Sequence, residues 1–184
     1  QLIRQFTTLS DNYLPQKSQV QLRRLIEEVL ARDLAPVGIR YQIRVDEEEL
    51  ALTLDPDLVR QVFVNLAKNA VDAMGTSGRV EVCIERVDGS DEAARTGQPV
   101  PSGELARITF QDSGPGLAPS IIDQVFDPYF STKQKGAQKG MGLGLTIVHS
   151  IVKKHGGLVW LESPDSGGCI VYLYFPLQEA AITD

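Results

Sequence analysis

Asn65 and Asn69 stand four residues apart, with Asp72 three further on. At about 100° per residue the three fall on one narrow strip of a helix. They border an apolar face made by Val59, Val62, Phe63, Leu66, Ala70, Ala73 and Met74. Asparagine is a mediocre helix former, and its amide needs partners wherever it is half-buried. Such a pair either hydrogen-bonds a neighbouring loop or offers a carboxamide oxygen to a hard cation such as Mg2+, which leaves most of its coordination to phosphate or water. Asp112 is followed by Gly114 and Gly116. That pattern makes an ordinary turn, or it presents an acceptor for an amino group while the glycines let a flat ligand approach the backbone. Gly140, Gly142 and Gly144 alternate just before a helical stretch, with Lys133, Lys135 and Lys139 ahead of them. Glycines there expose N–H groups to an anion and the helix dipole favours negative charge, although a flexible loop with solvated lysines has the same composition. Neither the P-loop spacing nor the Gly-x-Gly-x-x-Gly dinucleotide spacing is present.

Other residue types carry less. His149 and His155 are far in sequence from Cys83 and Cys169, so zinc-ligand spacing is absent and no nucleophile triad is suggested. Two cysteines make no disulfide framework and suit a reducing compartment. Trp160, Tyr172 and Tyr174 read as a cross-strand cluster. The formal charge of −6 in 184 residues argues against a general nucleic-acid binder. No apolar run approaches the roughly 20 residues needed to cross a bilayer, and no signal-peptide pattern opens the chain.

The elements that must position these residues follow from periodicity. Leu2, Ile3, Phe6 and Leu9 have helical spacing up to Pro15, and a second helical pattern runs from Ser18 through Leu22, Leu25, Ile26, Val29 and Leu30 to Pro36. Two short alternating stretches, 39–45 and 50–54, flank an acidic turn. Asp55-Pro56 is a helix start, a capping carboxylate before proline, for a helix reaching Met74 and stopping at Gly75. Strands are expected over 79–87 and 105–111, separated by a polar loop over 88–104. A short helix follows at 119–125, a helix at 145–155, and a hairpin of 158–162 with 169–175. Mostly antiparallel strands mixed with helices, without a regular strand–helix–strand rhythm, predict an α/β two-layer sandwich: a mixed, mostly antiparallel sheet with helices on one face.

Each motif alone is ambiguous, but their order is specific. Asn65-x-x-x-Asn69-Ala70, Asp112-x-Gly114-x-Gly116, Phe126-x-x-x-Phe130 and Gly140-x-Gly142-x-Gly144-Leu145 resemble, in turn, the N, G1, F and G2 boxes of bacterial sensor histidine kinases. Those kinases belong to the GHKL group with gyrase, MutL and related chaperones. The wording Phe-Asp-Pro-Tyr-Phe-Ser-Thr-Lys is similar to the nitrogen-regulation type of kinase. The resemblance implies a Bergerat-type ATP-binding fold over residues 17–178. Residues 1–16 would then be the tail of a dimerising helical hairpin, and 179–184 a C-terminal tail.

The same resemblance implies roles. Asn69 would bind Mg2+ between the phosphates of ATP, and Asn65 would contact phosphate or support the metal. Asp112 would accept from the adenine amino group, with Gly114 and Gly116 shaping the base pocket. Lys133 and the segment through Lys139, with Gly140, Gly142 and Gly144, would close over the triphosphate, anchored by Phe126 and Phe130. Asp72, Thr132, Met141, Leu143 and Leu145 complete the implied nucleotide-binding set. The hydrolysing branch of the group usually has Glu where this chain has Asn65, and an amide cannot act as a general base at neutral pH. Transfer to a protein nucleophile is therefore expected over hydrolysis, with Asn65 and Lys133 as the catalytic residues and ADP as the product. The phosphoacceptor histidine would lie in the upstream hairpin, and His155, in His155-Gly156-Gly157, would be structural. The implied partners are that hairpin and a response regulator. The implied setting is the cytoplasm, with a monomeric domain, a homodimeric parent kinase and an inner-membrane anchor on that parent. A GHKL ATPase and a regulator that holds ATP without transferring it are the alternatives.

Overall fold

A computed structural model describes residues 14–46, 50–128 and 142–177. Two sheets form. Strands β1 (Ser18–Gln21) and β3 (Ala51–Leu54) pair antiparallel, Ser18 facing Leu54. The main sheet has the order β2-β4-β5-β7-β6, built from β2 (Arg40–Val45), β4 (Arg79–Asp88), β5 (Glu104–Asp112), β6 (Leu158–Glu162) and β7 (Cys169–Pro176). Only β2 and β4 run parallel; every other neighbouring pair is antiparallel. A parallel pair needs a crossover, which α2 (Pro56–Met74) supplies.

Helices α1 (Leu22–Asp33), α2 and α5 (Gly144–Lys154) cover one face. Leu25, Ile26, Val29 and Leu30 of α1, Val59, Val62, Phe63 and Leu66 of α2, and Ile147, Val148, Ile151 and Val152 of α5 are buried there. Val82, Ile84, Ile108, Phe110 and Leu173 of the sheet join them in one core. The sandwich expected from the sequence is what forms. The start of α2 is also as expected: Asp55 is extended, its carboxylate accepts from the N–H groups of Asp57 and Leu58 at 3.1 Å each, and Pro56 occupies the first turn. Gly75, at φ +71°, ends the helix.

Two expectations are corrected. Residues 18–21 are a strand, because β3 has no other partner among the described residues and its backbone groups, which need pairing, outweigh a helical pattern carried by one inward residue, Val20. The 88–104 stretch is not a plain loop. Helix α3 (Gly89–Thr96) fills half of it, capped by Asp88, which accepts from the N–H groups of Ser90 and Asp91, and closed by Gly97 at φ +69°. This helix lies on the opposite face of the sheet from the other three, so the helices are not confined to one face as expected. Glu92, 6% exposed, accepts there from the Arg107 guanidinium at 2.8 Å and from the Tyr174 hydroxyl at 2.9 Å. A short helix, α4 (Pro119–Ile122), precedes Phe126. Trp160 and Tyr172 pair across β6 and β7 and stack with centroids 4.3 Å apart, the cross-strand cluster expected. Both cysteines are free.

Candidate functional site

The strip of α2 read from the sequence faces the start of α5. Asn65 donates from Nδ2 to the carbonyl of Gln61 at 2.9 Å, which leaves its Oδ1 as the outward acceptor. A Cβ placed on Gly144 would sit 3.4 Å from Asn65 Oδ1 and 3.6 Å from Asn69 Oδ1. The first residue of α5 therefore rests against both amides, where a Cβ would be in van der Waals contact with them. Leu143, the residue before α5, provides no side-chain cap, and no acidic residue stands in the first turn. Among the described residues no side chain caps this helix start, and its backbone N–H groups are of the kind that can meet an anion. Gly142 takes φ +65°, Leu143 is buried, and Leu145 is half-buried against the core. Asp72 lies one turn beyond Asn69 on the same strip and is exposed.

The other end of the cleft is built by Asp112, the last residue of β5. Burial pushes its carboxyl above the usual aspartate value, while backbone N–H groups of Gly114 and Cys169 pull the other way. The Gly114 N–H reaches Oδ1 at 2.8 Å. A Cβ on Gly114 would come 2.8 Å from that same oxygen and 3.2 Å from the Ala73 Cβ, so the turn is pressed between carboxylate and helix. Gly116 takes φ +79°, and a Cβ on it would lie 2.5 Å from Ser163 Oγ. Glycine is required there on both counts.

Ser163 is a residue the sequence reading missed. Its Oγ accepts from the Leu117 N–H and donates to the Gly168 carbonyl, both at 2.8 Å, while the Gly168 N–H donates to the Gly114 carbonyl. The β6–β7 turn thus splints the glycine turn beside Asp112. No local pattern marks a serine whose partners are 46 and 5 residues away. Ala73, placed on the apolar face from the sequence, is exposed and forms part of the cleft rim beside Gly114.

Phe126 packs on the core, its ring 5.9 Å from that of His149, and its carbonyl accepts from Thr146 Oγ1 at 3.1 Å on the first turn of α5. It ties the segment before the lysine-rich run to the helix after it. Phe130, Thr132, Lys133, Lys139, Gly140 and Met141 lie outside the described residues.

The donor set fits a magnesium nucleotide. Among the described residues no cluster of three His, Cys, Asp or Glu side chains could hold a metal. A cation at Asn69 would therefore take an amide oxygen and complete its shell from phosphate and water, as Mg2+ prefers. From Asn65 to Ala73, α2 rises about 12 Å at 1.5 Å per residue, with the helix start at Gly144 at one end and the half-buried carboxylate at the other. Among the described residues no helix is long and apolar enough to cross a membrane.

Fold and cleft together define an ATP-binding α/β-sandwich domain. The family described as histidine kinase-, DNA gyrase B-, and HSP90-like ATPase matches residues 54–179, and the chain belongs to it. Sensor histidine kinase ZraS of Escherichia coli (strain K12) is 31% identical over 151 residues, covering 82% of this chain and 28% of that protein. Sensor protein FixL of Bradyrhizobium diazoefficiens is 33% identical over 188 residues, covering 97% of this chain and 33% of that protein. The catalytic domain of histidine kinase ThkA superposes with a TM-score of 0.70 at 26% identity, covering 88% of this chain and 96% of that one. The chain spans a third or less of the length of these two sensor proteins.

Proposed function

We propose that the chain is the catalytic part of a sensor histidine kinase, binding Mg·ATP and donating the γ-phosphoryl group to a histidine on a helical hairpin, for relay to a response regulator. The observation that carries this reading is the pairing, along one helix, of an amide-lined, uncapped helix start with a half-buried carboxylate held by two backbone N–H groups. Asp112 accepts from the adenine amino group, and Gly114 and Gly116 let the base lie against the backbone. Asn69 offers its amide oxygen to the metal, Asn65 orients phosphate, and the N–H groups at Gly144 meet phosphate oxygens. Bound Mg2+ supplies neutralisation of phosphate charge. Phosphoryl transfer needs mainly positioning and electrostatic stabilisation, which these residues can provide. Asn65 offers no base to activate water, which favours transfer to an imidazole over steady hydrolysis.

The finer assignments belong to the same proposal. Lys133 and Lys139 approach the triphosphate, Phe130 anchors the segment that carries them, and Asp72, Thr132, Met141, Leu143 and Leu145 complete the nucleotide surroundings. The parent kinase is a homodimer working in the cytoplasm. The test supplies the chain with γ-labelled ATP and a matching hairpin bearing the acceptor histidine. Acid-labile, base-stable label on the hairpin is expected. Steady release of phosphate without the hairpin, and no label with it, would favour a hydrolysing ATPase.

A further inference from the structure

The end of the molecule away from the nucleotide cleft holds a buried polar junction. Asp55 and His155 are 3% and 5% exposed. His155 Nε2 accepts from the Asp55 N–H at 3.0 Å, and its Nδ1 lies 2.8 Å from the Ile151 carbonyl. A carbonyl only accepts, so Nδ1 carries the proton and the ring is neutral, with Nε2 as its acceptor. Asp55 caps α2 with one carboxylate oxygen and takes the Gln16 N–H on the other at 2.8 Å. The start of α2, the residue that closes α5 and the chain entering at Gln16 therefore meet at one point.

The two helices run antiparallel from this point toward the cleft. Asn65 lies ten residues beyond Asp55 and His155 eleven beyond Gly144, about 15–17 Å along either axis. At the far end Gly144 rests against Asn65 and Asn69. Between the ends, Ile147, Val148, Ile151 and Val152 meet the apolar face of α2. Apolar contact resists separation but is non-directional. The imidazole bond is directional and joins one helix to the other at a fixed height.

We infer that His155 is a positioning residue for the phosphate and metal end of the cleft: by fixing the register of α5 on α2, it holds the helix start at Gly144 against Asn65 and Asn69. A slip of one residue would move Gly144 by about 1.5 Å, enough to misplace the groups that orient phosphate. This rests on the assignment of Asn69 to the metal proposed above.

The test titrates ADP by calorimetry, with Mg2+ and with EDTA, into the wild-type chain, His155→Leu and His155→Gln. Leucine keeps bulk and loses the acceptor, whereas the glutamine amide can accept from Asp55 and donate to Ile151. His155→Leu should cut the Mg2+-dependent gain in ADP affinity roughly three- to tenfold. Metal-free ADP affinity, which rests more on Asp112 in β5, should fall by less, and His155→Gln should recover most of the gain. Should the leucine variant fail to fold, His155→Asn, one methylene too short to reach Asp55, stands in for it against His155→Gln. A full Mg2+ gain in the variant without the acceptor, or an equal loss with and without metal, would overturn the inference and leave the proposed site standing. Wild-type binding with no Mg2+ gain would overturn the metal assignment and the inference with it.

Discussion

On the face covered by α1, α2 and α5, the strands bury Val82, Ile84, Ile108, Phe110 and Leu173 in an apolar layer, and β5 turns polar at the rim, at Asp112. The opposite side of the same strands carries Glu85, Arg107, Tyr172 and Tyr174, and there charge is built into the packing. Arg107 reaches Glu85 at 2.7 Å and Glu92 at 2.8 Å, and Glu92 also accepts from Arg95 and Tyr174. Burial would raise the Glu92 carboxyl, yet the hydrogen bonds from Arg95, Tyr174 and Arg107 hold it at about 2. One face thus spends its polar groups on a cleft and the other on fastening α3. Affinity and stability should be separable by mutation, one face at a time.

The largest expected effect is on the cleft side. Asp112→Asn replaces the charged acceptor for an amino group by a neutral amide that also carries donors, and a hydrogen bond to a charged partner is worth roughly 1.5–3 kcal/mol. Calorimetry should show ATP and ADP affinity falling together by about 10- to 100-fold, with the melting temperature nearly unchanged; intact affinity for both would remove Asp112 from the site. On the opposite side, Glu92→Gln should lower stability by about 1–3 kcal/mol in urea unfolding while leaving ADP affinity alone, since Arg107 keeps Glu85 but loses its second carboxylate. The pH dependence sharpens this. Glu92 lies far below the ordinary value of 4.5, so its contribution is complete above about pH 4.5 and disappears as pH falls toward 2. Glu92→Gln should flatten that limb of the stability profile. Asp112 is shifted upward by burial and acts in the other direction, favouring the fold below its ordinary value of 3.8 and losing that contribution as pH rises. The smallest effect belongs to Ser163→Ala, which leaves the Leu117 N–H and Gly168 carbonyl without their splint. A three- to fivefold weaker ADP affinity and about 1 kcal/mol of lost stability are expected, and a change in stability alone would confine Ser163 to the hairpin.

The same contrast governs how much could be read in advance. Asp55-Pro56, the apolar stripe of α2, the alternation of β4 and β5 and the glycine turn after Asp112 are local signals that the fold does not override, so the sandwich and both ends of the cleft were legible. Residues 18–21 were not, because their strand exists only through pairing with β3. Helix α3 carries local signals within a polar composition: Asp88 as cap, Asp91 and Glu92 in the first turn, Arg95 in the last and Gly97 beyond it are ordinary start and stop residues. Its reason for docking lies in Arg107 and Tyr174, distant in sequence. Ser163 and the Asp55–His155 bond were illegible for the same reason, their partners being 46 and 100 residues away.

Trp160 is the chain's single tryptophan, and it lies flat against Tyr172 with the two rings 7° from parallel, on the α3 side of the sheet. The molecule accordingly carries one built-in optical reporter, and its emission follows the packing behind the strands, where α3 is fastened, independently of what enters the cleft in front.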